Sequence, residues 1–316
     1  MSDAHSIPES GVMPRTASRT TRFAAAVFDL SRGRQALLSV AQPGLAAALA
    51  LGGLPSWRIV AIGLVAATAG FLAVFSLNDV LDRGVDARSL RAGKAEVEGY
   101  DIDTAFERHP LARGDLSLSF SLTWVLGLAA LAAAGAWMLG PICLLLFMGA
   151  VALEVLYCAL RSVTYWKTVV SGAMVGVGGV AGWAAVAPLG WRALSFFVFL
   201  ALWEIGGRNI ANDLADVASD GRVGIRTVPT THGNAAAARA TAVVGAATVA
   251  WLPLVGLPVS ALVVALALGV WSILRPALLL VRTPTSAQAG SYFNHASLFP
   301  ALVLLAELAA LAVAGV

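Results

Sequence analysis

Long apolar stretches constrain this chain more than any other feature of its sequence. Each is roughly 18 to 24 residues long, which is enough for a helix to cross about 30 Å of hydrocarbon. Of the 316 residues, 59% are hydrophobic and 12% are charged, and this charged share is about half that of an average soluble domain. The sequence therefore predicts an all-α polytopic membrane protein with about nine spans, at 36–55, 59–81, 116–137, 139–160, 168–188, 192–212, 236–254, 258–281 and 295–315.

Basic residues lie mainly on one side of these spans. Arginines are frequent in the first 34 residues and in the connection between the second and third spans, whereas the opposite side has only Arg58 and Arg192. The positive-inside rule then predicts a cytoplasmic N-terminus, cytoplasmic even-numbered connections and an outside C-terminus, in the cytoplasmic (inner) membrane. We expect a cytoplasmic arm at 1–34, with a short interfacial helix near 23–30, and a transmembrane domain at 35–316.

The pattern Asn-Asp-x-x-Asp-x-x-x-Asp occurs twice, each time where an apolar span ends. In a helix, the three aspartates of one copy fall within about 60° of one another and share one face. The copies lie on the second and sixth predicted spans, so both are at the cytoplasmic end. A chain made of two four-helix units and a last helix would produce this arrangement. Their members are Asn78, Asp79, Asp82 and Asp86 in the first motif, and Asn212, Asp213, Asp216 and Asp220 in the second.

Clustered carboxylates at these positions predict a bound cation. Acids at a helix C-terminus meet the negative end of the helix dipole, and three acids on one face repel each other. A solvated helix end is the plain alternative, but a cation would relieve both penalties. All-oxygen ligands without His or Cys suit Mg²⁺, which usually binds through a few carboxylates and substrate phosphates. We therefore expect Mg²⁺ at the six aspartates and a substrate with a diphosphate head and a lipid tail.

Five stretches of the sequence resemble motifs of one known family. In chain order they are NDVLDRGVD, RHPLARGDLS, YCALRSVTYWKTVVSGAMVG, NDLADVASD and GRVGIRTVPTTHG. The first and fourth resemble the two aspartate motifs of the UbiA superfamily of intramembrane prenyltransferases, the fifth the continuation of the second motif, and the second an Arg-Pro-Leu motif. The third is similar to 4-hydroxybenzoate polyprenyltransferases, and the resemblance covers the chain from about Arg32 onward.

The resemblance implies a reaction and the residues that perform it. Mg²⁺ and cationic side chains would draw charge from an isoprenyl diphosphate, the allylic C–O bond would break, and an acceptor would attack the carbocation. Asn78 and Asn212 would be neutral ligands or orienting groups, while Lys167 and Arg226 would contact the diphosphate. The expected catalytic residues are Asp79, Asp82, Asp213, Asp216, Arg161 and Tyr157.

Further polar residues inside the spans are candidates for substrate binding. Glu154 and Glu204 lie well within helices, where an ionised side chain is costly and normally faces the bundle interior, so acceptor recognition, proton removal or a structural role remain open. Arg208 is expected to pair with Glu204 four residues earlier, and Asn209 extends the polar site. Trp203 lies deep enough to line a prenyl channel, with core packing as the alternative.

One connection departs from the family pattern. About two dozen residues separate Asp86 from Pro110, where family members have about ten, and connections of this length are usually functional or mobile. We interpret 83–115 as a cap over the diphosphate site, with 213–235 as a second cap loop. His109 replaces the family's arginine before Pro-Leu, and a lone histidine is more often part of the surface than catalytic.

The leading hypothesis is Mg²⁺-dependent prenyl transfer to an aromatic acceptor on a quinone-type pathway. Transfer to a non-aromatic acceptor such as a glycerol phosphate lipid, a membrane terpene cyclase and a non-catalytic scaffold are the alternatives. The net charge of +3 and the lack of a basic stripe argue against nucleic acid as a partner. The expected partners are an isoprenyl diphosphate, an acceptor molecule and membrane lipid, with no obligate protein partner evident.

Overall fold

The computed structural model describes residues 18–91, 102, 106 and 108–315. Every regular element among these residues is helical, which confirms the predicted all-helical class. Most of the predicted N-terminal arm, at 1–17, and most of the long connection, at 92–101, 103–105 and 107, lie outside the described residues.

The first half of the described chain begins with short helices and continues with long ones. The predicted interfacial helix near 23–30 corresponds to the first of them. In chain order they are α1 (Arg19–Leu30), α2 (Gly33–Ser39), α3 (Ala41–Leu51), α4 (Trp57–Arg91), α5 (Pro110–Arg113), α6 (Leu118–Leu139), α7 (Pro141–Leu160) and α8 (Lys167–Ala184).

The second half contains interrupted helices. Two π-helical segments, Trp203–Asn209 and Val270–Leu274, each join two α-helices into one longer helical segment. A 3₁₀ turn occupies Leu252–Leu254. The α-helices are α9 (Trp191–Leu202), α10 (Ile210–Ala215), α11 (Val217–Val223), α12 (Val228–His232), α13 (Asn234–Trp251), α14 (Val259–Gly269), α15 (Arg275–Arg282), α16 (Ser286–Ser297) and α17 (Phe299–Ala314).

Seven helical segments of the described chain are long and apolar enough to cross a membrane. They match seven of the nine predicted spans in order. Large apolar side chains such as Leu126, Leu145 and Val313 are exposed on them, as expected for surfaces that face lipid. The segments are Trp57–Arg91, Leu118–Leu139, Pro141–Leu160, Trp191–Ala215, Asn234–Leu254, Val259–Arg282 and Ser286–Ala314.

The other two predicted spans, 36–55 and 168–188, do not meet that length and composition test. The first is divided into α2 and α3, which separate after Ser39. Pro43 explains the break, because proline has no N–H to bond the carbonyl four residues earlier and its ring crowds that carbonyl. The second corresponds to α8, which ends at Ala184.

Helix α8 lies at the centre of the packing that surrounds the site. It contacts α3, α7 and α9, while α4 packs along α6. Gly182 lets α8 approach α3 closely, because a Cβ atom there would collide with the carbonyl oxygen of Pro43. Gly178, on another face of the same helix, has open space in front of it. The glycines of α8 therefore provide both close packing and free volume.

Candidate active site

Both aspartate motifs line a single cavity. The cavity has a volume of about 670 Å³ and receives Asn78, Asp82 and Asp86 from α4. From the second motif it receives Asn212, Asp213, Asp216 and Asp220. Asp79 is buried next to it, with its carboxylate 3.8 Å from the His109 ring. The eight motif residues predicted from the sequence are thus brought together from two regions that are distant along the chain.

The first motif is carried by an uninterrupted helix. The predicted span ends at residue 81, but α4 continues to Arg91, so residues 83–91 are helical rather than part of a loop. Val85 and Ser89 are buried on this extension, and α4 contacts α11. The aspartates therefore lie inside the helix and not at its C-terminus, so the helix dipole does not disfavour them there, although they still repel one another.

The second motif lies on a broken helix, which the spacing argument did not predict. Asp213 belongs to α10 and Asp220 to α11, and Asp216 separates them with φ −96° and ψ 9°. The π-helical segment Trp203–Asn209 comes directly before α10. Such segments often occur at functional sites, and here one brings three polar side chains to the cavity, those of Glu204, Arg208 and Asn209.

Two of the expected basic residues contact motif aspartates directly. Arg161, just after α7, forms an ion pair with Asp82. Lys167, at the start of α8, is 3% exposed, and its Nζ lies 3.0 Å from Oδ1 of Asp213. The Lys167 ammonium also donates to the Tyr157 hydroxyl at 3.1 Å. These contacts place positive charge on both sides of the cavity and fix it against the two motifs.

His109 lies within the acidic cluster, in contrast to the surface position expected from the sequence. Its Nδ1 is 3.1 Å from Oδ2 of Asp86, and its side chain is 14% exposed. The backbone at His109 is left-handed, with φ 58°, an uncommon conformation for a residue that carries a Cβ. Although burial alone would lower the pKa of His109, its contacts with Asp79 and Asp86 and their charges raise that pKa above its ordinary value.

The donor set fits a divalent cation. One ligand atom each of Asp79, Asp86 and His109 lies within 4.8 Å of the others. Oδ2 of Asp79 and Oδ2 of Asp213 are buried without a hydrogen-bond partner among the described residues. Buried carboxylate oxygens without partners are costly, and coordination would satisfy them. Carboxylates dominate the set, and this favours Mg²⁺ among the common metals.

A set of hydrogen-bonded polar side chains extends from the first motif into the cavity. The Asn78 amide donates to Oε1 of Glu154 at 2.7 Å, and the Cys158 thiol donates to the same oxygen at 3.3 Å. Arg32 donates to Oδ1 of Asn78 at 3.2 Å and also lines the cavity. Glu154 is buried and is held in place by the asparagine of the motif.

A second set of hydrogen-bonded polar side chains surrounds the π-helical segment. The Ser171 hydroxyl donates to Oε1 of Glu204 at 2.9 Å, and Nη1 of Arg208 is 3.3 Å from Oε2 of Glu204, which is the pairing expected from the sequence. The Asn209 amide donates to the Tyr157 hydroxyl at 3.3 Å. All five residues line the cavity.

Besides Asp79, two predicted site residues do not line the cavity, Arg226 and Trp203. The Arg226 guanidinium donates to the backbone carbonyl of Val163, so Arg226 ties two connections together. Trp203 is 1% exposed and its indole donates to the carbonyl of Ala296 at 2.8 Å. The guanidinium carbon of Arg208 lies 5.2 Å from the Trp203 ring centre. Trp203 therefore packs behind Arg208, which lines the cavity, and does not line the cavity itself.

Three basic residues at the site were not among the sequence candidates. Arg32 and His109 line the cavity, and Nη1 of Arg108 lies 3.2 Å from both carboxylate oxygens of Asp216. Arg32 had been assigned only a topological role, and Arg108 and His109 precede Pro-Leu in a connection without apolar periodicity. The nearest signal in the sequence was the resemblance of Arg108–His109–Pro110–Leu111 to the family's Arg-Pro-Leu motif.

Beyond the polar groups the cavity becomes apolar. It extends between α3, α4 and α8 and reaches residues near the opposite end of these helices, including Leu54 and Ala185. Small side chains keep this part open. Those that line it include Gly44, Ala48, Gly63, Ala67, Gly178 and Ala181.

A membrane bundle that joins two aspartate-rich motifs to an apolar cavity has the arrangement of an intramembrane prenyltransferase. The model of the UbiA prenyltransferase family matches residues 37–298, and the chain belongs to this family. It is 30% identical over 237 residues to "Protoheme IX farnesyltransferase" of Polaromonas naphthalenivorans (strain CJ2), a match that covers 72% of this chain and 71% of the relative. The resemblance found in the motifs is thereby confirmed, as is a prenyltransferase activity.

Solved structures share the fold at low sequence identity. The apo structure of a UbiA homologue from Aeropyrum pernix K1 has a TM-score of 0.71 at 18% identity, over 87% of this chain and 97% of that one. A UbiA homologue from Archaeoglobus fulgidus, bound to DMAPP and Mg²⁺, has a TM-score of 0.65 at 19% identity, over 91% and 99% of the two chains. These similarities establish the fold of the present chain.

Proposed function

We propose that this protein transfers a prenyl group from an isoprenyl diphosphate to an aromatic acceptor within the membrane, in a Mg²⁺-dependent reaction of quinone-type biosynthesis. The observation that carries this proposal is the shared cavity, which joins both aspartate motifs to an apolar extension. A diphosphate head and an isoprenoid tail have matching polar and apolar ends. We also propose that the motif end of the bundle opens to the cytoplasm, as the distribution of Lys and Arg predicts.

In the proposed mechanism, the six motif aspartates hold Mg²⁺ and the basic side chains hold the leaving group. Bound Mg²⁺ would supply positive charge to the diphosphate as the allylic C–O bond breaks. Arg161 and Lys167 are already fixed by Asp82 and Asp213. Charges that are preorganised in this way lower the barrier because little reorganisation is needed when negative charge develops.

The acceptor is proposed to bind at the inner polar groups. Glu154 and Glu204 both line the cavity, between the motifs and its apolar part. Either carboxylate is suited to bind a polar group of the acceptor or to take the proton that the acceptor loses. Tyr157 is proposed to orient Lys167, to which it is bonded.

The prenyl chain is proposed to occupy the apolar extension. The whole cavity, with a volume of about 670 Å³, is within the range of ligand cavities, which is roughly 300–1,000 Å³. Apolar walls would exclude water from the carbocation and so prevent its hydrolysis.

Three other reactions are alternatives for the same cavity. The 30% identity with a protoheme IX farnesyltransferase favours a tetrapyrrole acceptor with a farnesyl donor as the second candidate. A glycerol phosphate lipid acceptor and an internal cyclisation use the same diphosphate ionisation. These reactions differ in the molecule that accepts the prenyl group, and the cyclisation needs no separate acceptor.

Product analysis with a panel of substrates tests the proposal. Purified protein in lipid nanodiscs would be incubated with Mg²⁺, diphosphates of several chain lengths and one acceptor at a time: 4-hydroxybenzoate, a naphthoate, protoheme IX or a glycerol phosphate lipid. A prenylated aromatic acid is the expected product. Prenylated protoheme or prenylated lipid would show that this molecule, and not an aromatic acid, is the acceptor. A cyclic hydrocarbon formed without acceptor would identify a cyclase.

Replacement of Asp79 by alanine tests the metal site. We expect transferase activity to fall by about 100-fold or more, since loss of even a supporting group around a metal costs roughly 10- to 100-fold. Asp115→Ala is the matched control, because Asp115 is paired with Arg113 on the exposed surface. Full activity of the Asp79 variant would contradict the metal assignment.

A further inference from the structure

A second, small cavity lies next to the large cavity that both aspartate motifs line. Its volume is about 10 Å³, which is about the space that one water molecule needs. Ser39, Gln42 and Arg208 line both cavities, whereas Gln35 and Ser297 line only the small one of the two. The small cavity is therefore formed where α2, α3, α16 and the π-helical segment meet.

The polar side chains around the small cavity lack partners. Five side-chain atoms of its lining residues are buried without a hydrogen-bond partner among the described residues: Nε2 and Oε1 of Gln35, Oε1 of Gln42, Oγ of Ser297 and Nε of Arg208. None of these four residues is more than 7% exposed. Unpaired buried polar atoms are costly and are rare in folded proteins. A ligand that both donates and accepts hydrogen bonds would satisfy them.

One water molecule has the size and the chemistry that this site needs. It can accept hydrogen bonds from Nε of Arg208 and Nε2 of Gln35. It can donate to Oε1 of Gln42 and to Oγ of Ser297, and buried waters typically make roughly two to four such bonds. The guanidinium would repel a metal cation, and an organic group would not fit the volume. The residues that the two cavities share give the water a path of exchange with the large cavity.

Arg208 links the small cavity to the large one. Its guanidinium carbon lies 5.2 Å from the ring centre of Trp203 and 5.3 Å from that of Phe293. Its Nη1 is 3.3 Å from Oε2 of Glu204, a residue that lines the large cavity. A hydrogen bond from Nε to a fixed water would set the orientation of the guanidinium, and with it the position of the Glu204 carboxylate.

We propose that a water molecule bound in the small cavity accepts from Nε of Arg208 and so holds Arg208 and Glu204 in place for acceptor binding. This inference rests on the proposed role of Glu204 in binding the acceptor. Gln35 and Ser297 are positioning residues, because they do not line the large cavity and act only through the water and Arg208. Loss of either one must therefore affect the acceptor and leave the diphosphate donor, which binds at the motif end, unaffected.

Crystal structures of the full-length protein in lipid mesophase, at a resolution that shows ordered water, test the site directly. In the wild type we expect one water within hydrogen-bond distance of Nε of Arg208 and of at least two of the other three polar side chains. Gln35→Met keeps the length of the side chain but removes both of its polar atoms. In this variant the water should be lost or displaced, and the contact of Arg208 with Glu204 should be longer.

Steady-state kinetics in lipid nanodiscs test the positioning role, with 4-hydroxybenzoate and geranyl diphosphate as substrates. We expect the KM for 4-hydroxybenzoate to rise about 5-fold or more in Gln35→Met, because a hydrogen bond to a charged group contributes roughly tenfold or more to an equilibrium and part of this reaches Glu204. The KM for geranyl diphosphate should stay at its wild-type value. A merely structural role would lower kcat through the active fraction without raising one KM alone.

Two further variants complete the test. Ser297→Ala removes a single hydroxyl and should raise the KM for 4-hydroxybenzoate by less than Gln35→Met does, which guards against a folding defect in the latter. Gln288→Met is the matched control, because Gln288 also lies on a helix near the site, on α16, but lines neither cavity. Both KM values should be unchanged in this variant.

The outcomes separate this inference from the proposed function. If the wild-type protein does not prenylate 4-hydroxybenzoate, the proposed function is wrong, and the structures alone decide on the water. If the wild-type structure shows no water there, or shows Nε of Arg208 bonded directly to a glutamine, the water site is overturned. An unchanged KM for 4-hydroxybenzoate in both Gln35→Met and Ser297→Ala, or an equal rise in Gln288→Met, would overturn the positioning role.

Discussion

The buried pair of Lys167 and Asp213 gives the clearest prediction for a single residue. Both side chains are almost fully buried, at 3% and 7% exposure. Lys167→Met would leave the Asp213 carboxylate buried without its cation, and broken buried pairs cost about 3–5 kcal/mol. We expect a corresponding fall in the free energy of unfolding, measured by chemical denaturation in detergent.

A double variant separates this charge effect from simple loss of packing. Lys167→Met combined with Asp213→Asn removes both charges, so it should recover much of the stability that the single variant loses. Arg113→Gln breaks an exposed pair and should change stability by about 1 kcal/mol or less. A double variant that is less stable than Lys167→Met would contradict the argument.

At the same scale, the sequence identified acids more completely than cations. The aspartates stand out because acids are expensive beside a membrane span, and all six lie at or beside the cavity. Arg32 and Arg108 do not stand out, because the positive-inside rule already accounts for arginines in such connections. Only the fold shows that Arg32 contacts Asn78 and that Arg108 contacts Asp216.

At the scale of the helix, hydropathy predicted the seven segments of the described chain that can span a membrane, but not where the helices end. Helix α4 continues ten residues beyond the predicted limit of 81. Hydropathy missed this extension because the last turns of the helix are polar. The break at Asp216 was also not predicted, since regular spacing of aspartates looks the same in a straight helix. The division of 36–55, in contrast, could have been read from Pro43.

Two glycines of α8 make the packing of that helix testable. A Cβ at Gly182 would collide with the backbone of Pro43, and a Cβ at Gly178 would meet no atom within 4 Å. Gly182→Ala should therefore lower the free energy of unfolding by about 1–3 kcal/mol through overpacking against α3. Gly178→Ala is the matched control and should be neutral or slightly stabilising, because alanine favours helix over glycine.

Thermal unfolding of the two glycine variants in the same detergent would check this prediction. Both variants replace a glycine of α8 by alanine, so helix propensity cannot explain stability changes of opposite sign. Equal melting temperatures would show that α3 and α8 are less closely packed than the structure indicates.

At the scale of the whole molecule, the sequence predicted that the motifs converge but not the shape of the space beyond them. Convergence followed from the placement of both motifs on the same side of the membrane. The cavity depends on which small residues of α3, α4 and α8 face one another, and periodicity does not determine that. Gly63, which lines the apolar part, is about 24 Å from Asp79 along α4.

This distance predicts how the protein selects the length of its donor. Gly63→Phe would place a ring in the apolar part of the cavity, where Gly63 has no neighbour within 4 Å, and would block long chains while leaving the motifs intact. We expect kcat/KM to fall by about 10-fold or more for the longest diphosphate that the wild type accepts, since a filled apolar pocket discriminates by roughly this factor, and to change little for a five-carbon donor. Gly127→Phe, at an exposed position of α6, is the control and should leave both values unchanged. A uniform loss across all donors in Gly63→Phe would mean that the prenyl chain does not follow this path.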